Sequence, residues 1–142
     1  MEFQFTPEQL AFREEVARWV GANLPPGWAD QVGDRASATS EAPVGRDPES
    51  PEAIQVVREF RRRLAAKGWL ALGWPKEHGG AGADPMAQVI FDEVCAYLGA
   101  PVLDDSSQPL GEVLMAYGNE EQKRHWLRGI ADGRWLWAQL YG

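Results

Sequence analysis

Apolar residues recur every three or four positions through most of the chain, and prolines, glycines and capping residues cut that pattern into helices. The first helix carries Leu10, Phe12, Val16, Trp19, Val20 and Leu24. Thr6 stands at its N-cap, Pro7 at its first position, and Gln9 completes a capping box, with Phe5 and Leu10 at staple spacing. Pro25 and Pro26 end it. A second helix is capped by Ser50, opens on Pro51, repeats Ile54, Val57, Phe60 and Leu64, and stops at Gly68. The basic residues Arg58, Arg61, Arg62, Arg63 and Lys67 are assigned to its opposite side. A third starts at Asp84 and Pro85, turns Met86, Val89, Ile90, Val94 and Tyr97 inward, and ends at Gly99. Periodicity alone predicts a fourth over about 106–117, with Leu110, Leu114 and Tyr117 inward and Gly118 as its stop. Asn119 and Gln122 form a second capping pair for a fifth, whose apolar side is Trp126, Leu127 and Ile130.

Three stretches break the helical period. Residues 25–50 are rich in proline, glycine, serine and acid, a long loop in which Trp28 is the one anchor. Residues 69–83 form a loop of tryptophan, glycine and proline. Residues 134–142 are aromatic and partly alternating, which predicts a single β-strand. A lone strand leaves a row of backbone groups unpaired, so its sheet is expected outside this chain. The predicted fold is therefore all-α, a five- to six-helix bundle over 1–133, followed at 134–142 by a terminal strand lacking its sheet.

Composition narrows the function classes. Hydrophobic residues make up 44% and charged residues 25% of the 142, a globular balance sized for one domain. The net charge of −7 sits almost wholly in the first 52 residues, and no basic stripe is present to displace counterions from a nucleic acid. No apolar run approaches the roughly 20 residues of a membrane span, and no leader pattern opens the chain. A single cysteine, Cys95, fits a reducing compartment, so the expected location is the cytoplasm. Seven tryptophans are more than one small core would enclose, so some are expected to meet another surface.

The candidate chemistry is sparse. Gly79, Gly80 and Gly82 suit either an anion-cradling loop or a turn with positive φ; no Lys-Ser/Thr pair follows them, which favours the turn. His78 and His125 lie at ligand spacing neither from each other nor from Cys95, so no metal site is expected. Cys95 sits beside Val94 and Leu98 without a base and reads as a small buried hydrophobe. Asp92 and Glu93 are adjacent helical residues that face apart, and Asp104 and Asp105 precede a helix where negative charge is stabilising. The arginines of 58–63 read as a solvated or ion-paired face in preference to an anion site. No catalytic residue is assigned.

Three segments carry a resemblance. Gly73-Trp74-Pro75-Lys76-Glu77-His78-Gly79-Gly80-Ala81-Gly82 is similar to a proline–acid–diglycine loop of the acyl-CoA dehydrogenase family. Tyr117-Gly118-Asn119-Glu120-Glu121-Gln122-Lys123-Arg124-His125-Trp126-Leu127 resembles that family's helix of pattern G-x-x-x-Q-K-x-x-W/Y-L. Trp137-Ala138-Gln139-Leu140-Tyr141 looks like the strand leading into its flavin motif. Arg128 stands where the family usually has proline, and Trp74 where an aliphatic residue is commoner.

The resemblance implies the N-terminal helical domain of an FAD enzyme that converts an acyl-CoA thioester to its trans-2-enoyl-CoA. It implies that a glutamate from a C-terminal bundle takes the α-proton and that the flavin takes a hydride. By position, Gln139, Leu140, Tyr141 and Gly142 fall near the flavin ring, or are plain sheet residues. Met86, Ile90, Leu110 and Leu114 are candidates to line the acyl pocket, with core packing the favoured alternative. The partners implied are the acyl-CoA substrate and flavin and C-terminal domains on this or a second chain, with a homo-oligomer admitted. The Trp69 and Trp74 loop hints at bulky or polycyclic acyl groups. The competing expectation is a stand-alone helical interaction module without catalysis.

Overall fold

The computed structural model describes residues 4–28, 51–102, 107–135 and 137. Its helices are α1 (Pro7–Asn23), α2 (Pro51–Ala66), α3 (Pro85–Tyr97) and α4 (Ser107–Tyr117), then a run made of α5 (Glu120–Gln122), a π segment (Lys123–Leu127) and α6 (Arg128–Ala131). A 3-10 turn, Lys76–His78, lies in the loop between α2 and α3. No strand occurs among the described residues, which agrees with the helical class. The strand expected at 134–142 lies largely outside them; Arg134, Trp135 and Trp137 carry no regular secondary structure. The long loop at 25–50 is described only through Trp28, and the Ser50 cap lies outside the described residues.

The chain divides into two compact units, and the division falls inside α2, between Phe60 and Arg61. The first holds α1, the first ten residues of α2, and α3. Its α1 begins where the capping box places it: the Thr6 side chain accepts from the Gln9 amide at 3.3 Å, and Gln9 Oε1 accepts from the Thr6 amide at 2.9 Å. Val16 and Val20 are fully buried, a narrow i, i+4 stripe packed on α3. Leu10 stays nearly half exposed, and the Arg13 guanidinium lies 5.8 Å from the Phe5 ring centroid.

On α3 the buried face is Ile90, Phe91, Val94 and Cys95. Val89 and Tyr97, expected inward, are 56% and 87% exposed. The i, i+1, i+4, i+5 set sits about one residue round the helix from the stripe read off the sequence, because Phe91 supplies more apolar area than Val89. Trp28 Nε1 donates to the Gly99 carbonyl at 2.7 Å and ties the segment after α1 to the end of α3. Gly99 takes φ 63°, as a helix stop requires. Trp19 meets Phe60 at 5.5 Å between ring centroids, which brings α2 into this core.

The second unit holds the end of α2, the loop 67–84, α4 and the run from α5 to α6. Gly68 stops α2 with φ 74°, and the Trp69 amide returns to the Leu64 carbonyl at 3.0 Å. Lys67 then lies 3.9 Å over the Trp69 ring. The core is Ala71, Trp74, Leu127, Ile130 and Ala131, with Leu110, Leu114, Met115 and Trp137 packed against it. Tyr117, expected inward, is 86% exposed. The Asn119–Gln122 capping box forms as predicted, with both hydrogen bonds present. After α6 the chain doubles back: the amides of Arg134 and Trp135 both donate to the Gly129 carbonyl.

Candidate functional site

The loop at 69–83 is the most elaborated local structure in the second unit. Its glycines do not form an anion cradle. The amide of Gly79 donates to Lys76, that of Gly80 to Pro75, and that of Gly82 to Trp74, all to carbonyls of the loop itself. Donors spent in this way are not available to a phosphate. Gly79 and Gly82 supply positive φ, 93° and 66°. Gly80 is required for a different reason: a side chain there would collide with the carbonyl oxygens of Trp74 and Ala71.

The loop delivers Trp74 into the core, 5% exposed, against Gly111 of α4, where a Cβ would overlap the indole. A second close approach sets Trp135 over Gly129 of α6 in the same manner. Trp135 and Trp137 both pack on Trp126, at 5.7 and 5.1 Å between centroids, and His125 stands edge-on to Trp126 at 4.4 Å. Trp28, Trp69 and Trp74 are buried, whereas Trp135 is 41% exposed. Three of the seven tryptophans are thus enclosed, and Trp19, Trp126, Trp135 and Trp137 keep part of their surface exposed.

The titratable groups assemble no catalytic couple among the described residues. Burial, with a smaller push from the Asp92 carboxylate, raises the Cys95 thiol to about 12. It is inert and apolar in behaviour, as its setting in the sequence suggests. Burial also raises the Asp92 carboxyl, while Glu93 leaves Asp92 and pairs with Arg13 across to α1 at 3.2 Å. His78 lies 3.6 Å from Glu77, and His125 belongs to the aromatic cluster. No group of three His, Cys, Asp or Glu side chains suited to a metal occurs among the described residues. No helix of the described residues is long and apolar enough to cross a membrane.

Arg61 is placed differently from its expectation. It is 8% exposed and donates from Nη1 to the Val102 carbonyl at 3.0 Å. Its spacing from Leu64, three residues on, carried that signal, since i and i+3 share a helix face. Among the pocket candidates, Met86 is half-buried and Ile90 fully buried on α3, in the first unit. Leu110 and Leu114 are half-buried on α4, in the second unit, against the Trp74 cluster. The flavin candidates Gln139, Leu140, Tyr141 and Gly142 lie outside the described residues. Gly111 and Gly129 gave no warning in the sequence, because their contribution is the absence of a side chain.

Residues 30–134 match the family model described as acyl-CoA dehydrogenase, N-terminal domain. The acyl-CoA dehydrogenase FadE26 of Mycobacterium tuberculosis is 36% identical over 94% of this chain and 30% of its own length. The acyl-CoA dehydrogenase IpdE1 of Mycolicibacterium smegmatis is 38% identical over 94% of this chain and 32% of its own. Among solved structures, a chain of the ChsE4–ChsE5 complex from Mycobacterium tuberculosis aligns with TM-score 0.68 and 34% identity, covering 94% of this chain and 30% of that one. A chain of the Tcur3481–Tcur3483 steroid ACAD aligns with TM-score 0.70 and 29% identity, over 94% and 31%. The chain thus spans about a third of the length of the relatives it matches. By sequence and by fold, this chain belongs to the acyl-CoA dehydrogenase family, as an N-terminal domain.

Proposed function

We propose that the chain acts as the helical N-terminal domain of a flavin-dependent enzyme that dehydrogenates an acyl-CoA thioester to its trans-2-enoyl-CoA in the cytoplasm. The chain is not catalytic alone. The observation that carries this reading is the packing of Trp74, from the glycine loop, with Leu127, Ile130 and Ala131, from the helix of the second motif. Two segments recognised separately in the sequence are thereby parts of one core. Relatives described as a two-protein complex and as a steroid ACAD support a second, different chain as partner and a steroid-derived acyl group as substrate.

FAD supplies hydride acceptance when bound to the complete enzyme. The glycine loop does not fit its pyrophosphate, since the loop amides are bonded internally. Contacts to the flavin ring are assigned instead to Gln139, Leu140, Tyr141 and Gly142. Leu110 and Leu114, in the second unit, keep part of their apolar surface and are assigned to the acyl group; Ile90, fully buried in the first unit, reads as core packing.

The test is co-expression of this chain with candidate flavin-domain partners, followed by assay of the purified assembly with steroid side-chain acyl-CoA thioesters and an artificial electron acceptor. Flavin should co-purify, and the product should be lighter by two hydrogens. An assembly without flavin, or one inert toward every thioester tried, overturns the reading. A flavin-free homodimer of this chain would favour an interaction module, and turnover by this chain alone would overturn its incompleteness.

A further inference from the structure

Within the second unit, a cavity lies where the end of α2, the glycine loop and the first turn of α4 meet. Its wall includes Arg61, Trp74 and Ser107 among Leu70, Ala71 and Ile130. The three polar side chains are deeply buried, Arg61 at 8%, Trp74 at 5% and Ser107 at 2% exposure. Arg61 donates to the Val102 carbonyl, also on this wall. The Trp74 indole N–H meets no acceptor among the described residues. Its ring is seated on Gly111 at a distance that leaves no room for a side chain there. A buried donor left in this state carries its whole desolvation penalty. The cavity has room for about one water-sized molecule.

We propose that this cavity is a specific binding site for one structural water, which accepts the hydrogen bond of Trp74 Nε1. The wall suits water better than an apolar filler or an acceptor-only ion. Its lining residues carry both donors, the Trp74 indole and the Arg61 guanidinium, and acceptors, the Ser107 hydroxyl and the Val102 carbonyl. A buried water needs two to four such partners. The inference does not depend on the catalytic reading, since it concerns only how the loop is held.

Two measurements on the whole chain decide it. In crystals grown with bromide replacing chloride, a water peak should stand within hydrogen-bonding distance of Trp74 Nε1, without anomalous signal. In solution, the Trp74 indole proton should show a cross-relaxation peak to water and slow exchange, and Trp74→Phe should remove both that peak and the water. If Trp74→Phe does not fold, the crystal and the cross-peak in the unaltered chain still decide. No ordered atom beside Nε1, a bromide there, or an indole proton without a water peak overturns the proposal.

Discussion

A methyl group built on Gly111 would overlap the six-membered ring of Trp74, so α4 and the glycine loop meet at a distance that only glycine permits. Gly111→Ala should therefore lower stability by about 1–3 kcal/mol, the usual cost of overpacking a filled core. Alanine is the better helix former by about 1 kcal/mol, so the sign of the net change is diagnostic. Urea unfolding monitored by tryptophan fluorescence checks it, and a stabilised variant would show that Trp74 sits elsewhere.

Gly21 supplies the opposite case. It lies within α1, exposed, with nothing within 4 Å of the place a Cβ would occupy. Gly21→Ala should raise stability by about 0.5–1 kcal/mol, because alanine has less backbone entropy to lose. Thermal denaturation beside Gly111→Ala separates the effect of helix propensity from that of packing.

The Thr6 cap can be tested by deletion. Thr6→Ala removes the acceptor of the Gln9 amide and should cost about 0.5–2 kcal/mol. Thr6→Ser should recover most of that loss. The same cap helps hold the Glu8 carboxyl below its ordinary range, after the larger effect of the Glu8 backbone amide, so Thr6→Ala should move the Glu8 titration upward in a carbon-detected NMR experiment.

Cys95 makes stability depend on alkaline pH. Its thiol is raised from an ordinary 9.0 to about 12 in the folded chain. Between those values the folded state holds a proton that the unfolded state has released, so stability falls as pH rises. The contribution is complete below about pH 9 and is lost toward pH 12. Cys95→Ala should show a flatter stability profile from pH 8 to about pH 11. A thiol reagent at neutral pH should react with the native chain only as fast as it unfolds, and rapid labelling would contradict the burial.

Local signals were legible because they act over three or four residues. Thr6 with Gln9, and Asn119 with Gln122, announced two helix starts that the structure reproduces bond for bond. Gly68 and Gly99 marked stops at positive φ. The motif segments around Trp74 and Trp126 carry the family resemblance in the sequence itself, since their order along the chain is the signature, and residues 30–134 match the family model.

Rotation of each helix was a different matter. Val89, Tyr97 and Tyr117 fitted the apolar period yet face outward, whereas Phe91 and Arg61 turn inward; Cys95 is buried as its sequence setting indicated. Helical periodicity specifies a stripe only to within about one residue, and which edge is buried depends on what the neighbouring element presents. Residue order alone was enough to specify the helices, their caps and their kinship. Three-dimensional packing was needed to establish that Gly111 and Gly129 must lack side chains, that Arg61 is buried, and that Trp74 lines a cavity with its indole N–H lacking an acceptor among the described residues. Those properties arise from contacts between segments far apart in the chain, and no local pattern of residues encodes the space between them.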